Sequence, residues 1–134
     1  MIAQSVVKKL TKKKATLSVA ESITGGGLAS AITEVSGSSK VFVGGVIAYE
    51  DSVKISELKV DAKSLKKFTA VSEEVAKEMA AGALKKFKTD YAIATTGVAG
   101  PGKAYGQKRE RSGSRSPAKK RYLPSPFPCR DHGI

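Results

Sequence analysis

With 134 residues, 40% apolar and 27% charged, the chain is sized for one globular domain with a core of its own. Its 24 basic and 12 acidic residues leave a net charge of +12, a balance suited to nucleic acid or other anionic ligands. A single cysteine, Cys129, excludes an intrachain disulfide, and no run approaches the roughly 18 apolar residues of a membrane helix, so a cytoplasmic protein with no membrane role is expected.

The charge is unevenly spread. Residues 1–102 hold 15 basic and 10 acidic residues, and every one of those 15 is lysine. Residues 103–134 hold the other 9 basic and 2 acidic residues, all five arginines, four of the five prolines, Cys129 and His132. With one His and one Cys, a zinc site of the usual kind is not expected, and no metal or cofactor is.

Ile2, Val6, Val7 and Leu10 form an apolar stripe among lysines, which predicts a helix over 2–14; five lysines and no long apolar core exclude a signal peptide there. The β-branched run Ala15–Val19 predicts a strand over about 15–20. Ala20-Glu21-Ser22-Ile23-Thr24-Gly25-Gly26-Gly27 follows as a tight glycine-rich turn, and Leu28, Ile32 and Val35 predict a helix over about 24–35. Helix-start amides carry the positive end of the macrodipole, and glycines let a ligand approach the backbone. Ser22 and Thr24 are open to two readings here, reactive hydroxyls or simple N-caps. Glu21 is read as structural, bonding amides of its own turn.

Ser36–Ser39 predicts a turn, and residues 41–49 a β-rich run whose Gly44-Gly45 pair marks a bulge or a close backbone approach. Glu50–Leu58 predicts a turn and short helix, Asp61 a cap for a helix over 62–67, and Ser72-Glu73-Glu74 the start of a helix to about 88. Val75, Met79, Ala83 and Phe87 lie on its inner face. Tyr91–Thr95 predicts a buried strand, and Thr96–Gly102 a loop at its end. Strands alternating with helices predict an α/β fold with its site at strand C-termini.

Four motifs, in order, carry a resemblance. Ala20-Glu21-Ser22-x-Thr24-Gly25-Gly26, Gly45-x-x-x-Tyr49-x-x-x-x-Lys54, Ala70-Val71-Ser72-Glu73 and Thr96-Gly97-Val98-Ala99-Gly100-Pro101 together resemble the CinA C-terminal domain family, known also as competence/damage-inducible proteins. The likeness covers about residues 3–102. It implies a three-layer α/β/α sandwich, incomplete at the C-terminus, and a nicotinamide-nucleotide amidase. That hydrolase converts nicotinamide mononucleotide to nicotinate mononucleotide and ammonia in pyridine nucleotide salvage, part of NAD metabolism. The small-molecule substrate is the implied partner, with room for a homo-oligomer. The family also occurs fused to a molybdopterin-binding-like domain that has no counterpart in these residues.

The resemblance implies Ser22 as nucleophile, Lys54 as its base and Tyr49 as a proton relay or amide-orienting group. Thr24, Gly25, Gly26, Thr96 and Gly97 are implied as oxyanion- or phosphate-binding, with the division between the two loops open. Without the resemblance, Tyr49 reads as a sheet-edge aromatic and Lys54 as a surface lysine.

From Lys103 the family pattern stops. Residues 103–134 lack apolar periodicity and read either as a disordered basic tail, able to bind RNA or DNA through phosphates, or as an out-of-frame segment. Read one base on, codons permitted for Glu110 to Ser116 can spell Asn-Gly-Leu-Val-Leu-Val-Leu, an apolar strand of the kind the family has there. Loss of that part implies impaired or absent turnover. A non-catalytic remnant or interaction module of the same fold is the other reading.

Overall fold

The computed structural model describes residues 1–97. The rest of the Gly-Pro loop and the whole of the 103–134 segment lie outside the described residues.

The elements run α1 (Ile2–Lys13), β1 (Leu17–Glu21), α2 (Gly27–Thr33), a 3-10 turn (Ser38–Lys40), β2 (Phe42–Ile47), α3 (Asp51–Leu58), α4 (Ala62–Phe68), α5 (Glu73–Phe87) and β3 (Tyr91–Thr95). The three strands are parallel in the order β2-β1-β3, so all three end at the same edge. β1 is the middle strand and all five of its residues are buried, as a parallel strand covered on both faces must be.

Strand periodicity divides the core into two layers. Leu17 and Val19 of β1 and Ile93 of β3 face α1 and α2, where Val7, Leu10, Leu28 and Ile32 pack on them. Ala20, Ala92 and Ala94 face the other way, against Val75, Met79 and Ala83 of α5, with Leu58 beyond. Small alanines on that face let the long helix lie close to the sheet. The arrangement is the expected α/β/α sandwich. One expectation fails: Ile2, placed in the inner stripe of α1, is 58% exposed, and Ala3 is buried in its stead.

The helix caps predicted from sequence form. The Asp61 carboxylate accepts from the Lys63 amide, and the Ser72 hydroxyl accepts from the Val75 amide. The Gly44-Gly45 pair does both things expected of it. The register slips between Leu17 and Ser18, opposite Phe42 and Gly44, and a Cβ on Gly45 would collide with the Val19 side chain and carbonyl.

Gly82 makes the tightest approach. A Cβ there would overlap the Leu58 carbonyl at the end of α3, and backbone cannot swing aside as a side-chain tip can. Gly82→Ala is therefore expected to lose about 1–3 kcal/mol of stability despite the better helix propensity of alanine. Urea denaturation followed by circular dichroism checks this; an alanine variant as stable as the parent contradicts the packing.

Candidate active site at the C-terminal edge of the sheet

The turn after β1 is built on Glu21. Because side chains alternate along a strand, Glu21 points with Leu17 and Val19 toward the α2 layer. Its carboxylate is fully buried. It accepts hydrogen bonds from the Leu28 amide at 2.8 Å and the Ala29 amide at 2.9 Å, both in the first turn of α2, and from the Thr24 hydroxyl at 2.5 Å. The residue before α2 is Gly26, and neither Ser22 nor Thr24 caps that helix. The N-cap reading of those hydroxyls is thus set aside, and Glu21 does the capping from inside the sheet. Gly25 and Gly26 have φ of 58° and 107°, conformations open to glycine and strained for other residues.

Ser22 sits between the exits of both outer strands. Its amide donates to the Thr95 carbonyl at 3.0 Å, and the carbonyl of its neighbour Glu21 accepts from the Ala48 amide at 2.6 Å. Ser22 is 6% exposed. The Thr24 hydroxyl also hydrogen-bonds the Thr95 hydroxyl at 2.7 Å, while the Gly25 amide donates to the Ser22 carbonyl. Among the described residues the Ile23 and Thr24 amides meet no acceptor, which leaves open donors beside Ser22.

Lys54 departs most from its bland reading. It is 1% exposed, not a surface lysine. Its Nζ donates to the Tyr49 carbonyl at 2.9 Å and lies 3.5 Å from Asp51 Oδ1. Burial pushes the amine below the ordinary lysine pKa, with Asp51 and Glu50 pulling the other way. Tyr49 follows Ala48 at the exit of β2, so the carbonyl that holds Lys54 lies at the same sheet edge as Ser22. The Tyr49 side chain itself is 67% exposed, and its contact with Lys54 runs through the main chain.

On the β3 side, Thr96 is 1% exposed and its hydroxyl donates to the Ala70 carbonyl at 2.5 Å; Gly97 follows it, half-buried. The Ala70-Val71-Ser72-Glu73 motif is therefore a strap that fixes Thr96. Thr95 and Asp51 are parts of this edge that sequence reading passed over. The first shows in strand alternation, which puts it on the Glu21 side, and the second in its spacing of three from Lys54. Among the described residues no cluster of three or more His, Cys, Asp or Glu could hold a metal ion, and no helix is long and apolar enough to cross a membrane.

The strap begins on a strained residue. Thr69 has φ 68° and ψ 162°, a region nearly restricted to glycine, and its buried hydroxyl has no partner among the described residues. Its carbonyl nonetheless accepts from the Ser72 hydroxyl at 2.8 Å. Thr69→Gly removes both costs and is expected to gain about 1–3 kcal/mol. Glu21→Gln is expected to lose about as much, because one amide carbon carries a donor where two amides need acceptors. Parallel urea titrations of the two variants check the opposite signs.

The chain has relatives among known proteins. The family model of the CinA C-terminal domain matches residues 1–113. A CinA-like protein of Flavobacterium psychrophilum is 53% identical over 96 residues, covering 72% of this chain and 23% of its own. Another from Leptospira borgpetersenii is 48% identical over 108 residues, covering 81% and 26%. The chain thus spans about a quarter of the length of these curated relatives. Among solved structures, a CinA superfamily protein of Escherichia coli superposes with TM-score 0.75 at 36% identity, over 78% of this chain and 60% of that one. A competence/damage-inducible protein of Agrobacterium tumefaciens gives TM-score 0.75 at 39% identity, over 81% and 66%. On the match over residues 1–113 and the shared sheet and helix layers, the chain belongs to the CinA C-terminal domain family.

Proposed function

We propose that this sheet edge is an amide-hydrolase site that acts on the carboxamide of nicotinamide mononucleotide. The observation that carries the proposal is Lys54: a buried amine, lowered in pKa by desolvation and held by the exit of β2 at the edge where Ser22 stands. A serine needs a base, the only histidine of the chain is His132, and a lysine serves once part of it is neutral.

In this reading neutral Lys54 takes the Ser22 proton as Oγ attacks the carboxamide carbon. The carbonyl oxygen gains charge, and the open Ile23 and Thr24 amides stabilise it. Protonated Lys54 then returns the proton to the leaving nitrogen, which departs as ammonia. Water, deprotonated by Lys54, cleaves the acyl-serine to release the nicotinate carboxylate and free Ser22. Tyr49, exposed at the rim, orients the amide. Glu21 occupies the Leu28 and Ala29 amides, which supports giving the phosphate to the main chain of Thr96 and Gly97, the Thr96 hydroxyl being engaged by the Ala70 carbonyl. Thr24, Gly25 and Gly26 keep the Ser22 turn in shape.

The solved relatives are longer than the part this chain matches. We infer that residues 103–134 as written replace an in-frame strand and helix, and that turnover by the 134-residue chain is low. Ammonia release should rise in a form read one base on after Lys108. In whichever form is active, Ser22→Ala and Lys54→Met should each lower kcat/KM by about 10²–10⁴-fold. The rate should climb with pH as Lys54 loses its proton and level off below the ordinary lysine pKa. Equal ammonia release by Ser22→Ala excludes Ser22 as nucleophile, and a pH limb unchanged in Lys54→Met excludes Lys54 as base.

A further inference from the structure

A second feature lies on the opposite face of the sheet, away from Lys54 and α3. Residues 1–40 carry six lysines and two acids. One of the acids, Glu21, is buried and bonded inside the fold, so Glu34 is the one exposed acid of this segment against six exposed lysines. Residues 41–97 are nearly balanced, with nine lysines and eight acids, and all three ion pairs found among the described residues lie there.

Three of the unbalanced lysines surround one groove. It has a volume of about 400 Å³ and runs between α1 and the turn that follows α2. Lys8 and Lys12 line one wall and Lys40 the other, with Gln4 and Ser36 adding polar groups. Among the described residues none of the three lysines meets a carboxylate. Lys8 and Lys12 are one helical turn apart, where like charges repel, and Lys40 adds a third charge across the gap. Nothing in the packing requires this, since the three side chains are exposed and the apolar contacts of α1 run through Ala3, Val7 and Leu10.

We propose that this groove is a binding surface for the phosphate backbone of nucleic acid. Two observations favour a linear polyanion over a compact one. Lys8 and Lys12 lie along a helix, and Lys9 and Lys13 form a second row on its neighbouring face, beside a separate groove that includes Tyr91, so positive charge spreads over the exposed side of α1 and is not focused at one point. None of the three groove lysines is buried or converges on a buried polar group, as a site for one small anion would require. No aromatic side chain lines the groove, so there is nothing for a base to stack on, and binding is independent of sequence. This surface is separate from the proposed amidase site, and it stands whether or not the chain turns over nucleotide.

The test is fluorescence anisotropy of a short labelled DNA duplex with the full 134-residue chain across a salt series. Each phosphate contact contributes about 0.9 to the slope of log K against log salt. Lys8→Gln/Lys12→Gln/Lys40→Gln should therefore weaken binding and reduce the slope by about two to three. Lys63→Gln/Lys66→Gln/Lys67→Gln removes the same charge from α4 and should leave the slope near the parent value. Three results overturn the proposal: no binding at low salt, a groove variant with unchanged slope, or an equal drop in both triple variants. The second assigns binding to the arginine-rich segment, and the third assigns it to net charge alone. Circular dichroism on each variant confirms that exposed lysines were removed without loss of fold.

Discussion

The burial of one carboxylate organises this structure. Glu21 ends the central strand and points into the α2 layer, where burying an anion would be prohibitive without donors. The first turn of α2 supplies them, two amides and the positive end of the helix dipole, and Thr24 supplies a hydroxyl. The exchange is mutual, because those amides have no partner inside their own helix. Strand, glycine turn and helix are thereby locked as one unit, and Ser22 is held at a defined height above the sheet. The same lock makes the start of α2 unavailable to a phosphate.

A parallel sheet does the rest of the assembly. Since β1, β2 and β3 all run the same way, three chain exits meet at one edge. Ser22 bonds one neighbour and Glu21 the other, so the Ser22 turn, the Tyr49–Lys54 segment and the Thr95–Gly97 segment are brought together from far apart in sequence. Around this edge the structure tolerates strain. Thr69 occupies glycine backbone space, and Lys54 is buried as an amine whose partners among the described residues are a main-chain carbonyl, a half-exposed Asp51 and, at longer range, Glu50. Elsewhere the chain follows its local rules closely, except that α1, α3 and α5 each end on a lysine in the left-handed conformation, where glycine is the easier choice. Deviations at a sheet edge that also carries a buried amine fit the site proposed there.

Much of this was legible in the amino-acid sequence, because it depends on neighbours along the chain. Period-four stripes, the Asp61 and Ser72 caps and the β-branched runs are local signals, and they placed α5 and β3 within a residue of where they form. The motif order carried the family. Residue type also marked Glu21 as structural and the glycine pair of β2 as a close approach. The tertiary structure alone decided the burial of Lys54, since a lysine in a short, mixed-polarity helix looks like surface until α3 folds against α5. It alone decided that Glu21 and not Ser22 or Thr24 caps α2, because that depends on which face of β1 meets which helix. The Thr96 strap and the conformation of Thr69 depend likewise on contacts between segments more than twenty residues apart, or on a backbone torsion that residue type argues against. Sequence determines what each segment can do, and packing determines which of those capacities meet.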